Sequence, residues 1–234
     1  MTVAPEPHGD AARKLDHLLR PSIPRFYDFV HGAGKDALFP DRDAAAQVTE
    51  VVPELPDVMR QNRSCLERAV DKLAKDGFRQ WLDIGAGIPE NPLLHHIAQQ
   101  RQPGARWIAV DNDPQVFMHG WTVLDHKHLV EADLRDPGII LDAARKRLDW
   151  SEPIVLLGAV LHFVPDRDKP REIMAAFRDG LPEGSCAVVT HATGHNRAGE
   201  VLPDALAGAE RYRELVSPDF TLRSPEEFAA LLDE

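Results

Sequence analysis

Trp81-Leu82-Asp83-Ile84-Gly85-Ala86-Gly87-Ile88-Pro89 is the stretch that decides the fold. A hydrophobic run enters two glycines one residue apart, and a helical stretch begins soon after, near Leu93. Glycine permits the tight turn and lets a ligand approach the backbone closely. Two ligands suit such a turn, a dinucleotide and S-adenosylmethionine. The dinucleotide fingerprint wants Gly-x-Gly-x-x-Gly, and Glu90 stands where its third glycine belongs. Asp83, just ahead of the first glycine, sits poorly beside a pyrophosphate and well beside a cationic, amino-bearing ligand. A lone Gly-x-Gly is also common in plain loops, so the neighbouring text has to carry the choice.

Downstream, strand and helix patterns alternate. Apolar strand candidates fall at Gln80–Gly85, Arg106–Val110, His128–Ala132, Pro153–Val160 and Ser185–Thr190. Helical stretches lie between them near Leu93–Gln100, Pro114–Leu124, Gly138–Leu148 and Pro170–Asp179. Ile154-Val155-Leu156-Leu157 is apolar at every position, as a strand buried on both faces must be. That predicts a mostly parallel sheet covered by helices, a doubly wound α/β domain. Such sheets bind ligands beyond the carboxyl ends of their strands, where the strand order reverses.

Upstream, residues 1–76 read as helix throughout. Ile23, Phe26, Tyr27 and Val30 recur at helical spacing until His31-Gly32-Ala33-Gly34 breaks the pattern. A second helix starts at Pro40-Asp41. A third carries Val58, Cys65, Leu66, Ala69, Val70 and Leu73 on one face and ends at Gly77. The expectation is a helical N-terminal cap over 1–76 and a ligand-binding core over 77–234, in one compact unit. The C-terminal text reads as a helix over Gly199–Val216 and a short last helix opened by Ser224-Pro225-Glu226.

Charge narrows the partners. The formal net charge is −11, the opposite of a nucleic-acid footprint and unsuited to an anionic membrane surface. The first twenty residues lack the apolar core of a signal peptide, and no run approaches the roughly twenty apolar residues needed to span a bilayer. A cytoplasmic protein is expected. Two cysteines, Cys65 and Cys186, are far too few for a disulfide scaffold.

The next two strand ends are acidic as well. Asp111, in Ile108-Ala109-Val110-Asp111-Asn112-Asp113, follows Gly87 by about the 20-residue spacing of a ribose-binding carboxylate. It can accept from both ribose hydroxyls, whereas Asp113, ahead of Pro114, suits a helix cap. In Glu131-Ala132-Asp133-Leu134-Arg135-Asp136, the Asp133 carboxylate and the Leu134 amide can read an adenine edge. Taken alone this is a solvated loop; at the third of three successive strand ends it completes an adenosine site.

Together these residues resemble the Rossmann-like class I S-adenosylmethionine-dependent methyltransferases. The likeness is closer to an actinobacterial subfamily, once a domain of unknown function and renamed S-adenosyl methyltransferase. Its hallmarks stand here as Ser22-Ile23-Pro24-Arg25-Phe26-Tyr27-Asp28, Gly34-Lys35-Asp36, Gln61-Asn62-Arg63, Val160-Leu161-His162-Phe163-Val164-Pro165 and His191-Ala192-Thr193, besides the three strand ends. The resemblance implies S-adenosylmethionine as cofactor and Tyr27 in a lid over it. Arg63, with its bidentate fork, would meet the methionine carboxylate, and Asp83 would face that same end. Gly85 and Gly87 would shape the floor, with Asn112 beside Asp111 and Ala159 at the fourth strand end joining the cofactor set. The chain departs from the family in two places. Gly32-Ala33-Gly34-Lys35-Asp36 is one residue longer than the usual Gly-Gly-Lys-Asp, and the implied final antiparallel strand pair has no counterpart before Glu234.

His162 and His191 follow the fourth and fifth strands and are the candidate general bases, each weighed against a structural histidine. His95-His96 and His126/His128 lack carboxylate or cysteine company at metal-ligand spacing, so no metal is expected. No Asp/Asn-Pro-Pro-Tyr follows the fourth strand, where Gly158-Ala159-Val160-Leu161-His162 stands; that motif marks amino methylation of bases or glutamine in related families. The acceptor expected is a small molecule, of secondary metabolism given the family's actinobacterial distribution, received between the cap and Thr193–Val216. The alternative is a non-methylating S-adenosylmethionine-binding protein on the same fold, assisting cyclisation or decarboxylation, or regulatory.

Overall fold

The computed structural model describes residues 18–32, 34–120 and 128–233. The helical expectation for residues 1–17, the end of the helix expected to reach Leu124, and His126 lie outside the described residues. Ahead of the first strand lie α1 (Ile23–His31), α2 (Phe39–Val51) and α3 (Leu55–Lys75). Strands and helices then alternate as β1 (Gln80–Ile84), α4 (Leu94–Arg101), β2 (Arg106–Asp111), α5 (Pro114–Gly120), β3 (Leu129–Glu131), α6 (Pro137–Arg145), β4 (Val155–Gly158), α7 (Pro170–Gly180) and β5 (Cys186–Val189). Two more helices close the chain, α8 (Pro203–Leu215) and α9 (Pro225–Ala229).

The strands form one sheet in the order β3-β2-β1-β4-β5, and every neighbouring pair is parallel. The order reverses between β1 and β4, so the crevice expected of a doubly wound sheet opens at their carboxyl ends. Because side chains alternate along a strand, each face gathers its own core. Trp81 pairs with Trp107 in register and their rings stack at 5.5 Å. With Val155 and Leu157 they pack on Leu66, Val70 and Ala74 of α3 and on Leu94 and Ala98 of α4. On the other face Leu82, Ile84, Ile108, Val110 and Leu156 meet Ile140, Leu141 and Ala144 of α6 and Ile173 and Phe177 of α7. β4 is buried at all four positions, as its unbroken apolar text requires.

A third cluster joins the N-terminal helices to one another and to the C-terminal region. Phe26, Val30, Ala44, Ala45, Val48 and Met59 surround Tyr212 of α8. α1 starts where the Ser22 hydroxyl accepts the Arg25 amide and stops at Gly32, whose φ of +103° glycine alone adopts readily. Its placement over the sheet is pinned by Arg25, 1% exposed. Arg25 Nε donates to Asp41 at 2.6 Å, its other nitrogens donate to Gln115 Oε1 and to the Arg20 carbonyl, and Ser22 Oγ donates to Asp113. Among the described residues no helix is long and apolar enough to cross a membrane.

Candidate functional site

The turn after β1 is built around positions that need glycine. Gly85 has φ +69°, and a Cβ there would lie 1.8 Å from Val160 Cγ1. The Gly85 and Ala86 amides donate to the Val110 carbonyl, so the turn is sewn to the end of β2. Gly87, φ +66°, donates its amide to Asp111 Oδ2 at 2.9 Å, while Asp111 Oδ1 accepts the Asp113 amide at 2.9 Å. Burial raises the Asp111 pKa against the pull of these amides. Asp113 accepts the Gln115 amide at 2.8 Å, as a capping residue does.

At the end of β3, Asp133 accepts the Arg135 amide and Asn112 Nδ2, each at 2.9 Å. Burial alone would raise its pKa, but these donors and the Arg135 charge bring it below the usual carboxylate range. Arg135 in turn ties three segments together. It donates to Asp168 at 2.7 Å, to Asp133, to the Phe163 carbonyl at 3.0 Å and to Asp219 at 3.2 Å.

These strand ends line a cavity of about 350 Å³, with Ile23, Pro24, Tyr27 and His31 contributed by α1 and Ser217 and Asp219 by the segment after α8. Five carboxylates line it: Glu90, Asp111, Asp113, Asp133 and Asp219. Its two lining arginines are taken up by protein acceptors. Arg135 is held as described, and Arg63 donates to Glu67 and to the Glu90 and Pro92 carbonyls. The cavity therefore presents acceptors, and a cationic ligand with hydroxyls to donate suits it far better than a pyrophosphate.

Of the residues expected to hold a cofactor, Tyr27, Arg63, Gly85, Gly87, Asp111, Asn112, Asp133, Leu134 and Ala159 all line this cavity. Asp83 does not. It lies opposite Ala109 and Leu157 in register, on the α3/α4 face, and lines an adjoining pocket of about 40 Å³ with His95 and Trp107, which shares Arg63, Gly87 and Glu90 with the cavity. Burial pushes its pKa up to about 7, against the Arg63 charge and a hydrogen bond from Trp107.

Neither candidate base lines the cavity. His162 stands behind Tyr27, its Nε2 3.1 Å from Tyr27 Oη, and burial lowers its pKa to about 3, too low to take up a proton near neutrality. His191 has both ring nitrogens occupied. Nδ1 is 2.6 Å from the Ala192 carbonyl, and Nε2 faces the guanidinium of Arg223 at 2.9 Å. Arginine only donates, so His191 Nε2 must accept and its lone pair is spent. The wall expected from Thr193–Val216 is supplied instead by Ser217 and Asp219, just beyond it. Sequence reasoning also passed over Arg135, which adjoins the Asp133-Leu134 pair, and the His31–Glu90 contact at 2.7 Å on the cavity wall. Among the described residues no group of His, Cys, Asp and Glu could hold a metal ion.

Residues 8–234 match the S-adenosyl methyltransferase family. The chain belongs to that family. Two solved structures are similar over nearly its whole length. A DUF574 family protein from Streptomyces avermitilis MA-4680 is 36% identical, with a TM-score of 0.80, over 93% of this chain and 84% of that one. A candidate methyltransferase from Thermobifida fusca YX is 31% identical, with a TM-score of 0.82, over 100% of this chain and 85% of that one. No curated protein matches the sequence. As an S-adenosyl methyltransferase the protein uses S-adenosylmethionine, and the cavity fits that cofactor on chemistry alone: an acidic lining for a sulfonium and an ammonium, and a carboxylate at the end of β2 for a diol.

Proposed function

We propose that this S-adenosyl methyltransferase methylates a small molecule, with the cofactor and the acceptor sharing the cavity between the sheet and α1. The observation that carries the reading is the cavity's mixed lining. Carboxylates and glycine backbone at the β1–β3 ends line it together with apolar side chains that include Ile23 and Pro24 of α1, Val160 and Phe163. About 350 Å³ is at the small end of ligand pockets, and a net charge of −11 opposes nucleic acid. In this reading Asp111 receives the ribose, Asp133 and the Leu134 amide the adenine, and Gly85 and Gly87 keep the floor open. Arg63, already bound to Glu67 and two carbonyls, orders the wall beside the amino-acid end.

Bound S-adenosylmethionine supplies an electrophilic methyl group on a cationic sulfur. This chain's contribution is to place an acceptor lone pair opposite it and to exclude water, since enclosure and orientation alone account for large rate effects. The carboxylates favour the cationic cofactor over its neutral product, which helps release. Placement in secondary metabolism rests on the company of actinobacterial relatives rather than on any side chain. Calorimetric titration tests the reading. S-adenosylmethionine and S-adenosylhomocysteine should bind and NAD should not; binding of NAD alone, or of none of the three, would sink it.

A further inference from the structure

Among the oxygens of the five carboxylates on the cavity wall, one stands apart. Asp111 accepts the Gly87 and Asp113 amides, Asp113 the Gln115 amide and the Ser22 hydroxyl, and Asp133 the Arg135 amide and Asn112 Nδ2. Asp219 accepts from Arg135 with one oxygen and from Arg167 with the other. Glu90 Oε1 lies 2.7 Å from His31 Nδ1. Glu90 Oε2 alone has no hydrogen-bond partner among the described residues, and it is not sealed inside the protein. The Glu90 side chain is only 16% exposed and lines both the cavity and the adjoining pocket, so this oxygen opens on the space a ligand fills.

The rest of Glu90 is fixed. Its carbonyl accepts Arg63 at 3.2 Å, and Arg63 is anchored on Glu67 and on the Pro92 carbonyl. A carboxylate oxygen held in place without a donor suits a cation that brings its own N–H groups.

Position selects the cation. The sheet order β3-β2-β1 sets Asp133, Asp111 and the turn that leads to Glu90 side by side. S-adenosylmethionine carries its donors in a matching row: the adenine amino group, the ribose diol and the α-ammonium. With Asp133 on the first and Asp111 on the second, the third falls at the β1 turn, where Glu90 follows Gly87 by three residues. The sulfonium has no hydrogen to donate. Asp83, in the adjoining pocket, already accepts from Trp107.

We propose that Glu90 Oε2 binds the α-ammonium group of the cofactor. This rests on the reading that the cofactor occupies the cavity.

A calorimetric cycle tests it, with two ligands: S-adenosylhomocysteine and its analogue with hydrogen in place of the α-amino group. Wild-type protein should bind the first about tenfold to hundredfold more tightly, the range of a hydrogen bond to a charged group. That ratio should shrink to a few-fold in Glu90→Gln and to about one in Glu90→Ala, with the analogue binding all three proteins alike. Analogue affinity thus serves as the check that the cavity is intact, and Glu90→Gln suffices should Glu90→Ala fold poorly. Asp83→Asn should keep the wild-type ratio. An unaltered ratio in the Glu90 variants overturns the proposal and leaves the oxygen for an ammonium on the acceptor. A loss shared equally by both ligands overturns it too, because Glu90 would then act on the cavity as a whole. So does a ratio that collapses in Asp83→Asn instead, which would move the ammonium into the adjoining pocket. Failure of the wild-type chain to bind S-adenosylhomocysteine at all is a different result: it removes the cofactor reading itself.

Discussion

The Gly87 amide donates to Asp111 Oδ2 at 2.9 Å, across two strand ends that are far apart in the chain. The carboxylate thus holds the glycine turn in place with one oxygen while the other takes the Asp113 amide. Each oxygen keeps a further lone pair, and Asp111 lines the cavity. One side chain therefore both holds the floor and presents acceptors to the cavity.

Asp111→Asn should fail nearly as badly as Asp111→Ala. Both protein partners are N–H donors, so the carboxamide must turn its own NH₂ against one of them. Hydrogen bonds to a charged group are worth about 1.5–3 kcal/mol, so S-adenosylhomocysteine affinity should fall about tenfold to hundredfold in either variant. Calorimetry reads this directly, and unchanged affinity would remove Asp111 from the ribose.

Gly85→Ala tests the turn itself. The left-handed backbone costs a non-glycine residue about 1–2 kcal/mol, and the new methyl collides with Val160. Urea unfolding should show a loss of more than about 2 kcal/mol. Adding Val160→Ala should recover only the steric part. Full recovery would mean that φ carries no cost there.

The sheet and most of the cavity wall were legible from sequence because their signals are local: a strand end, two glycines, an acidic residue at a fixed spacing. The misplacement of Asp83 has a physical cause. A strand buried on both faces shows no alternation, so β1 could not reveal that Asp83 points to the Trp81/Trp107 side and not into the cavity. Ser217 and Asp219 were illegible for another reason. Asp219 reaches the site through Arg135, 84 residues away, and nothing near either residue encodes that pairing. His162 and His191 were expected at the cleft because they follow strand ends, but short 3₁₀ and coil segments turn them behind its wall.

Arg25→Met should be among the most damaging changes outside the strands. It leaves Asp41, fully buried, without its counter-charge, and removal of one partner of a buried pair costs about 3–5 kcal/mol. Asp41→Asn in the same chain should recover part of that loss. Because Arg25 also holds Gln115, α1 should loosen over the cavity, so S-adenosylhomocysteine affinity should fall in Arg25→Met. A stable variant with unaltered affinity would show that α1 needs no such tie.

Stability against pH should carry two opposed slopes. Asp83 titrates at about 7 in the folded protein against an ordinary 3.8, so between those values the unfolded chain has lost a proton that the folded chain keeps. Its contribution is present below about pH 4 and is lost as pH rises through 7. His162, at about 3 against an ordinary 6.5, behaves in the opposite way. The unfolded chain binds the extra proton, so stability rises with pH across that window and is complete above 6.5; His95, at about 4, adds to it. Each group contributes a slope of at most about 1.4 kcal/mol per pH unit. Asp83→Asn should remove the falling slope, so that its stability climbs more steeply than wild type between about pH 4 and 6.5 and then levels off. His162→Gln should weaken the rise instead. Urea midpoints across that range provide the check. Parallel curves for Asp83→Asn and wild type would mean that Asp83 is ionised in its pocket and that the Arg63 charge outweighs its burial.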